Sequence, residues 1–176
     1  MPTGPQWFEV ANGRGLEQGD IILRCPVYMP LVADPLVEDL TIDVDRRELD
    51  LIVMTQSCDL VEGREKVKEI VLCSVQTLEI AKATPGHVLS NKNNLKPLIE
   101  CKLGVFQPLK PCDLPGIVRP FSIVEFATMY ALPRDHVRIV ASKRGVRPRL
   151  KSPYRELMGS PLFQVGSLRS SFPAMR

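Results

Sequence analysis

The sequence is poor in aromatic residues and histidines, and it contains no long apolar run. Aromatic side chains make up 6% of the 176 residues, and there are 2 histidines. No apolar stretch approaches the roughly 18 residues that a membrane-spanning helix needs, and the N-terminus lacks the basic and then apolar pattern of a secretory signal. We therefore expect a cytoplasmic protein that has no membrane partner.

The cysteines and histidines do not form a metal-binding or disulfide pattern. The 5 cysteines are an odd number, and neighbouring cysteines are separated by 11 to 33 residues, whereas a zinc site usually has closely spaced ligands. Without a secretory signal, reduced thiols are expected. The sequence also lacks a glycine-rich phosphate loop, paired metal-binding histidines and a G-x-S-x-G elbow. We predict no metal site and no cofactor.

Proline, in contrast, is abundant. The 16 prolines are about 9% of the chain, nearly twice the usual share of about 5%. Because proline fixes φ and removes a backbone donor, this density excludes a long helical bundle and a coiled coil. It favours short strands, turns and brief helices.

Negative and positive charges are concentrated in different halves of the sequence. Residues 1–101 contain 10 Lys/Arg and 16 Asp/Glu, whereas residues 102–176 contain 13 Lys/Arg and 4 Asp/Glu. The basic half can bind RNA or DNA phosphates through the release of counterions. Alternatively, the basic half pairs with the acidic half within the fold or across a dimer. The absence of aromatic residues that could stack on bases in the basic run at 134–151 favours this alternative. The candidate nucleic-acid contacts are Arg144, Arg147, Arg149, Lys151, Tyr154 and Arg155.

The apolar runs predict a small, mainly β core. The run at 21–28 is predicted to be a strand at a sheet edge, since it contains Pro26. Continuous apolar runs at 51–55 and 69–75 predict buried strands, and the short charged connection between them favours antiparallel pairing. Further predicted segments are a loop at 29–49 and strands at 98–108 and 117–129.

Short helices are expected between and after these strands. Residues 77–82 have a helical pattern, and the segment after Pro133 fits a helix or a strand, of which we favour the helix. Ser152 as an N-cap, followed by a proline at the first helical position, predicts a helix that ends near Gly159. The elements predict one mainly β or α+β barrel-like domain over 1–159 and an irregular tail over 160–176.

A cluster of polar side chains follows the buried strand predicted at 51–55. It places two hydroxyls, an amide, a thiol and a carboxylate where side chains leave the core at a sheet edge. Such a concentration is a candidate functional site. Its members are Thr55, Gln56, Ser57, Cys58 and Asp59.

Three interpretations of this cluster are open. In the first, Cys58 is a nucleophile, which needs a base such as His87 or His136. In the second, the polar neighbours of the cysteine line a binding site. In the third, Ser57 and Asp59 stabilise a turn, and the cysteine packs as a small apolar residue. The residues alone favour the turn.

Six segments of the sequence, one of which contains this motif, carry a resemblance to other proteins. They are residues 18–23, 51–60, 70–75, 121–126, 129–133 and 149–156. In this combination they resemble a set of uncharacterised bacterial proteins in which an apolar strand ends in S/T-Q-S/D-C-D-L/I. The resemblance covers most of residues 18–157 and implies no activity. Those proteins continue after the S-P-Y-R-E motif into a long amphipathic helix, whereas this chain contains Pro161 there. We interpret the difference as a lost helix or a tail read in a shifted frame.

More loosely, the Gly-Asp-Ile start at 19–21 and the apolar strand at 51–54 are similar to those of PemK/MazF-like toxin barrels. That resemblance implies a small SH3-like barrel, here with a short C-terminal helix, that dimerises and cleaves RNA without a metal. Cleavage in that family relies on an arginine with a threonine or acidic partner. The nearest residues of these types here are Arg24, Thr55 and Asp59.

We expect a binding or regulatory module of a bacterial defence or mobile-element context that contacts nucleic acid through its basic half. A protein partner is an alternative, and a homodimer is expected. Two enzymatic alternatives stay open, a metal-independent endoribonuclease of toxin type and a Cys58-dependent hydrolase. The candidate catalytic residues are Arg24, Thr55, Cys58 and Asp59, and Gln56 and Ser57 join the basic residues above as candidate binding residues.

Overall fold

The computed structural model describes residues 6–31 and 43–158, and it is mainly β. Among these residues, no helix is both long and apolar enough to span a membrane. The strands are β1 (Phe8–Ala11), β2 (Ile21–Leu31), β3 (Asp43–Val53), β4 (Glu69–Thr77), β5 (Phe106–Leu109), β6 (Cys112–Leu114), β7 (Ile117–Arg119), β8 (Ser122–Pro133) and β9 (Arg147–Leu150). The helices are α1 (Leu78–Ala83), α2 (Leu95–Ile99), α3 (Arg134–Arg144) and α4 (Tyr154–Met158).

Five strands form an antiparallel sheet in the order β2-β3-β4-β8-β5. The predicted antiparallel pairing of the two buried runs is confirmed, with Ile52 of β3 opposite Cys73 of β4. β2 is the end strand of this sheet, where Pro26 removes no donor that a neighbouring strand requires. β3 pairs with β4 only over residues 51–53, so the rest of the β2–β3 hairpin extends beyond the sheet.

A short second sheet joins the beginning of the described chain to its end. β1 pairs antiparallel with β9, and β9 also contacts the residues just before β2 through a bridge between Asp20 and Arg149. The Leu150 N–H donates to the Gly19 carbonyl at 3.1 Å. Gly19 has a φ of +84°, and a Cβ there would lie 3.0 Å from the Leu150 Cβ, so this close approach requires glycine.

Successive residues of β3 enter separate apolar clusters, as expected for a strand buried on both faces. Ile52 packs with the small sheet and α4, whereas Leu51 and Val53 pack with α3. A third cluster holds α1 and α2 against β5 and β8. The central sheet therefore separates the small sheet from α3. The cluster with α3 also contains Leu16 and Leu60, which lie in the segments that form the site described below.

The predicted loop at 29–49 is wrong for the part that the structure describes. Residues 29–31 and 43–49 continue β2 and β3, with Tyr28 paired to Arg46. Both strands are largely exposed here, so the sequence has no apolar alternation to indicate them. Residues 32–42 lie outside the described residues.

Other boundaries differ in smaller ways. The strand predicted at 98–108 is wrong in its first part, because α2 precedes β5, and the strand predicted at 117–129 is divided between β7 and β8 next to Pro120. The helix at 77–82 is confirmed as α1, where Thr77 Oγ1 accepts a hydrogen bond from the Ile80 N–H. The helices expected after Pro133 and Ser152 are confirmed as α3 and α4. The expected helix end near Gly159 and the tail lie outside the described residues.

Candidate functional site

A pocket of about 640 Å³ lies between two segments that follow strands. Residues 12–17 leave β1, residues 57–62 follow β3, and the side chains of Leu16 and Leu60 contribute buried apolar surface. β9 contributes the third wall, so the pocket combines early, middle and late parts of the sequence. Its polar lining side chains are Asn12, Glu17, Ser57, Cys58, Glu62 and Arg149.

Two hydroxyls of the strand-end motif hold the backbone that shapes this pocket. Thr55 Oγ1 accepts a hydrogen bond from the Val71 N–H at 2.9 Å. Ser57 Oγ accepts one from the Gln18 N–H at 3.1 Å. These bonds tie the turn that follows β3 to β4 and to the segment before β2. Ser57 and Cys58 also line the pocket, whereas Thr55, Gln56 and Asp59 are not among its lining residues.

Cys58 presents an exposed thiol to the pocket. Its Sγ lies 3.6 Å from Gln56 Oε1 and 3.6 Å from Asp59 Oδ1, so the thiol can donate to either oxygen. His87 contacts Gln76 and Phe106, and His136 contacts Pro26 and Tyr28. No contact in the described part of the chain brings either histidine beside Cys58. The interpretation of this cysteine as a nucleophile therefore lacks its expected base.

The other cysteines differ from Cys58 in burial. Burial raises the pKa of the Cys25 and Cys73 thiols to about 11, with a nearby Arg144 charge opposing the shift at Cys25. Burial also raises the pKa of Cys101 and Cys112. Since the thiolate is the reactive form, the raised pKa values lower the reactivity of these four thiols.

A buried carboxylate organises the wall of the pocket. Asp20 is 0% exposed, and Arg147 and Arg149 both donate to it. Arg147 Nε lies 2.9 Å from Asp20 Oδ2, and Arg147 also donates to the Gly13 and Gly15 carbonyls. Burial opposes the charge of Arg149, but the hydrogen bond and charge of Asp20 raise its pKa. The network fixes the 12–17 loop against β9.

Glu17 extends this network into the pocket. Its carboxylate accepts hydrogen bonds from Arg149 and from Arg155 of α4, the latter at 2.6 Å. All three guanidinium nitrogens of Arg149 donate to Asp20, Glu17 or the Gly15 carbonyl. Arg147, Arg149 and Arg155, which the sequence suggests as nucleic-acid contacts, are therefore held in ion pairs by Asp20 and Glu17.

The remaining candidate nucleic-acid contacts are also engaged. Arg144 donates to the Arg24 carbonyl at 2.9 Å and pairs with Glu48 at 3.4 Å. Lys151 donates to Gln6 at 3.3 Å. Tyr154 stacks on Trp7 with ring centroids 4.3 Å apart, a contact that covers one face of the Tyr154 ring.

Arg138 of α3 is buried and holds the 57–62 segment, which forms one wall of the pocket. It donates to the Leu60 carbonyl at 3.1 Å and to Glu65 at 2.6 Å. The hydrogen bond from Arg138 to Glu65 is the main reason that the pKa of Glu65 is lowered to about 2. The acidic half of the sequence is thus paired with the basic half inside the fold.

The three residues selected by type from the toxin resemblance lie in different contacts. Arg24 pairs with Glu48 at 2.8 Å, whereas Asp59 pairs with Lys66 at 3.4 Å. Thr55 bonds the backbone of β4. No contact in the described residues joins any two of Arg24, Thr55 and Asp59.

The principal members of this site, Glu17 and Asp20, were not selected from the sequence. In the sequence, Asp20 belongs to the Gly-Asp-Ile start, and an acidic residue directly before a buried strand is a signal for a buried ion pair. Within residues 6–31 and 43–158, no group of three or more His, Cys, Asp or Glu side chains is arranged to hold a metal. No family model, curated protein or solved structure matches the chain.

Proposed function

We propose that this chain is a binding module whose ligand occupies the pocket between residues 12–17 and 57–62. The observation that carries the proposal is the convergence of apolar surface and hydrogen-bonding groups in one concave site of about 640 Å³. The support for an enzyme is weaker, since Cys58 has no histidine partner among the described residues. The site provides recognition groups without an assembled acid–base pair.

The charges of the lining side chains favour a ligand with a positively charged group. Arg149 is occupied by Asp20 and Glu17, and Glu17 is shared between two arginines. Glu62 lines the pocket, is exposed and has no ion-pair partner among the described residues. The charge of the lining that is left free to pair with a ligand is therefore the carboxylate of Glu62. An amine or a basic peptide side chain with an apolar stem fits this arrangement.

Nucleic acid is an alternative ligand, but fewer observations support it. Most arginines of the basic run are paired with carboxylates, and a paired guanidinium contributes little additional attraction for phosphate. Lys143 is exposed and has no carboxylate partner in the part of the chain that the structure describes. A regulatory role in a defence or mobile-element context is compatible with either ligand.

The alkylation rate of Cys58 tests the proposal, because this thiol reports whether the pocket is occupied. The full chain is treated with iodoacetamide in the presence of n-butylammonium or of butyrate at equal ionic strength. We expect butylammonium to slow modification of Cys58 and butyrate to have little effect. Glu62→Gln should abolish the difference, whereas Glu79→Gln on the exposed face of α1 should retain it.

A short RNA oligonucleotide is the third arm of the same experiment. Protection of Cys58 by RNA that disappears as salt is raised, without protection by the amine, would favour the nucleic-acid alternative. Equal effects of amine and carboxylate, or no protection by any probe, would contradict a ligand site in this pocket.

A further inference from the structure

His87 begins a turn between α1 and α2, and it is not among the residues that line the pocket. The turn is a single turn of 3-10 helix at Val88–Ser90, and His87 Nδ1 accepts a hydrogen bond from the Leu89 N–H at 3.1 Å. Leu89 is fully buried in the apolar cluster that holds α1 and α2 against β5 and β8. The imidazole ring therefore anchors the connection between these two helices.

The contacts of the ring determine which of its nitrogens carries the proton. A neutral imidazole has one N–H, so its two nitrogens cannot both accept hydrogen bonds. Nδ1 accepts from a backbone N–H, whose direction is fixed by the chain, so the proton lies on Nε2. This nitrogen is 3.1 Å from Gln76 Nε2, and half a turn of the Gln76 amide places its oxygen there to accept the proton. Both nitrogens of the neutral ring are then satisfied.

Protonation of the ring is incompatible with this arrangement. The charged imidazole has an N–H at both nitrogens, so its Nδ1–H would face the Leu89 N–H with no acceptor between them. A carboxylate lies at the opposite nitrogen, where Glu125 Oε1 is 4.0 Å from His87 Nε2. A displacement of about 1 Å brings these two atoms within hydrogen-bond distance. The ring thus has two alternative partners, and its charge selects between them.

The elements around His87 contribute few other charges. Its contacts on β4 and β5 are neutral side chains, namely Gln76 and Phe106. Glu125 is the one charged residue of β8. The charged residues of α1, of the turn at Lys92–Asn94 and of α2 are Glu79, Lys82, Lys92 and Lys96, of which the first two pair with each other at 3.2 Å. A charged ring at this position therefore has Glu125 as its carboxylate partner.

We infer that His87 is a pH-sensitive latch, whose neutral form holds the turn at Val88–Ser90 and whose protonated form releases the turn and pairs with Glu125. Histidine is the side chain whose charge changes between about pH 5 and 8. A fall of pH within this range therefore loosens the connection that covers the cluster of Leu89, Leu98 and Ile123. The latch does not depend on the function proposed for the pocket, because the two share no residue.

Hydrogen exchange of the Leu89 amide, measured by NMR on the full chain, tests the latch. The protection factor, which is corrected for the intrinsic effect of pH on exchange, should fall about tenfold from about pH 7.5 to about pH 5.5, as expected for the loss of one hydrogen bond. His87→Asn is the matched control, because an asparagine oxygen caps the same turn and does not titrate. This variant should keep the Leu89 amide protected at both pH values.

Two further variants separate His87 from the other titrating groups. Glu125→Gln removes the partner of the charged ring, so the loss of protection at Leu89 should occur at a lower pH. His136→Gln removes the other histidine, whose Nε2 lies 3.0 Å from the Pro26 carbonyl and donates to it in both charge states. This change should leave the pH dependence at Leu89 as it is in the wild type. Circular dichroism verifies that each variant is folded.

The position of the ring proton is a readout that needs no variant. Nitrogen-15 NMR of the neutral wild-type ring should place the proton on Nε2, and a proton on Nδ1 would overturn the inference. Protection of Leu89 that is independent of pH in the wild type would overturn it as well. An equal loss of protection in His87→Asn would do the same, because it would assign the pH effect to a different group.

Discussion

Asp20→Asn is the substitution that most directly tests the buried ion network. The asparagine preserves the size of the side chain but removes the charge that Arg147 and Arg149 share. Asp20 is fully buried, and Arg147 is 2% exposed, so water cannot replace the lost carboxylate without opening the structure. The amide would also direct N–H groups toward guanidinium N–H groups, which leaves donors unpaired.

The expected cost follows from the burial of these groups. Breaking a buried ion pair by neutralising one partner typically costs about 3–5 kcal/mol, because the other charge stays buried. This is a large share of a typical unfolding free energy of about 5–15 kcal/mol. With a urea m-value of about 2 kcal/mol/M, the unfolding midpoint should fall by about 1.5–2.5 M.

Urea unfolding followed by circular dichroism measures this shift. Asp45→Asn is the control, because it removes the same charge from an exposed pair with Arg47 and should cost about 0.5 kcal/mol or less. An Asp20→Asn variant that loses no more stability than Asp45→Asn would refute the conclusion that this network holds the fold together.

Two further predictions follow from the shifted pKa values. Raising a thiol pKa from 9.0 to about 11 lowers its thiolate fraction about a hundredfold below pH 9, so peptide mass spectrometry should find Cys58 alkylated by iodoacetamide before Cys25 and Cys73; simultaneous modification of native protein would contradict their burial. The pKa of Glu65 is lowered from 4.5 to about 2 by its hydrogen bond from Arg138, so its stabilising contribution is complete above pH 4.5 and is lost as the pH falls toward 2. Glu65→Gln should therefore flatten the pH dependence of the unfolding free energy in this window, and an unchanged slope would show that the carboxylate does not couple to folding.

The buried strands could be predicted because their signals are local. The runs at 51–55 and 69–75 each contain four consecutive apolar residues, and both strands place side chains in the apolar clusters on the two faces of the sheet. Thr77 and the residues after it similarly contain a complete helix start. The exposed part of the hairpin was missed because its cross-strand pairs involve charged side chains, which sequence patterns assign to loops.

The site could be predicted only in part, because its contacts join residues that are far apart in sequence. The turn after β3 was selected from its concentration of polar groups, and Ser57 and Cys58 do line the pocket. Its other wall depends on the pairing of Asp20 with Arg149, which are 129 residues apart. Many carboxylates in the acidic half are equally plausible partners for an arginine when only the sequence is considered.

The division of charge between the two halves has a structural consequence that composition alone does not give. Asp20 and Glu17 precede the central sheet, whereas Arg147, Arg149 and Arg155 follow it, so their ion pairs connect the two ends of the described chain. The pocket is formed where these ends meet. Under the proposed function, a ligand bound there would contact residues from both halves, and its binding energy would add to the energy that holds the small sheet on the start of β2. Closure of the fold depends on Asp20 and Glu17, whereas the proposed recognition of a ligand depends on Glu62, which lines the same pocket as Glu17.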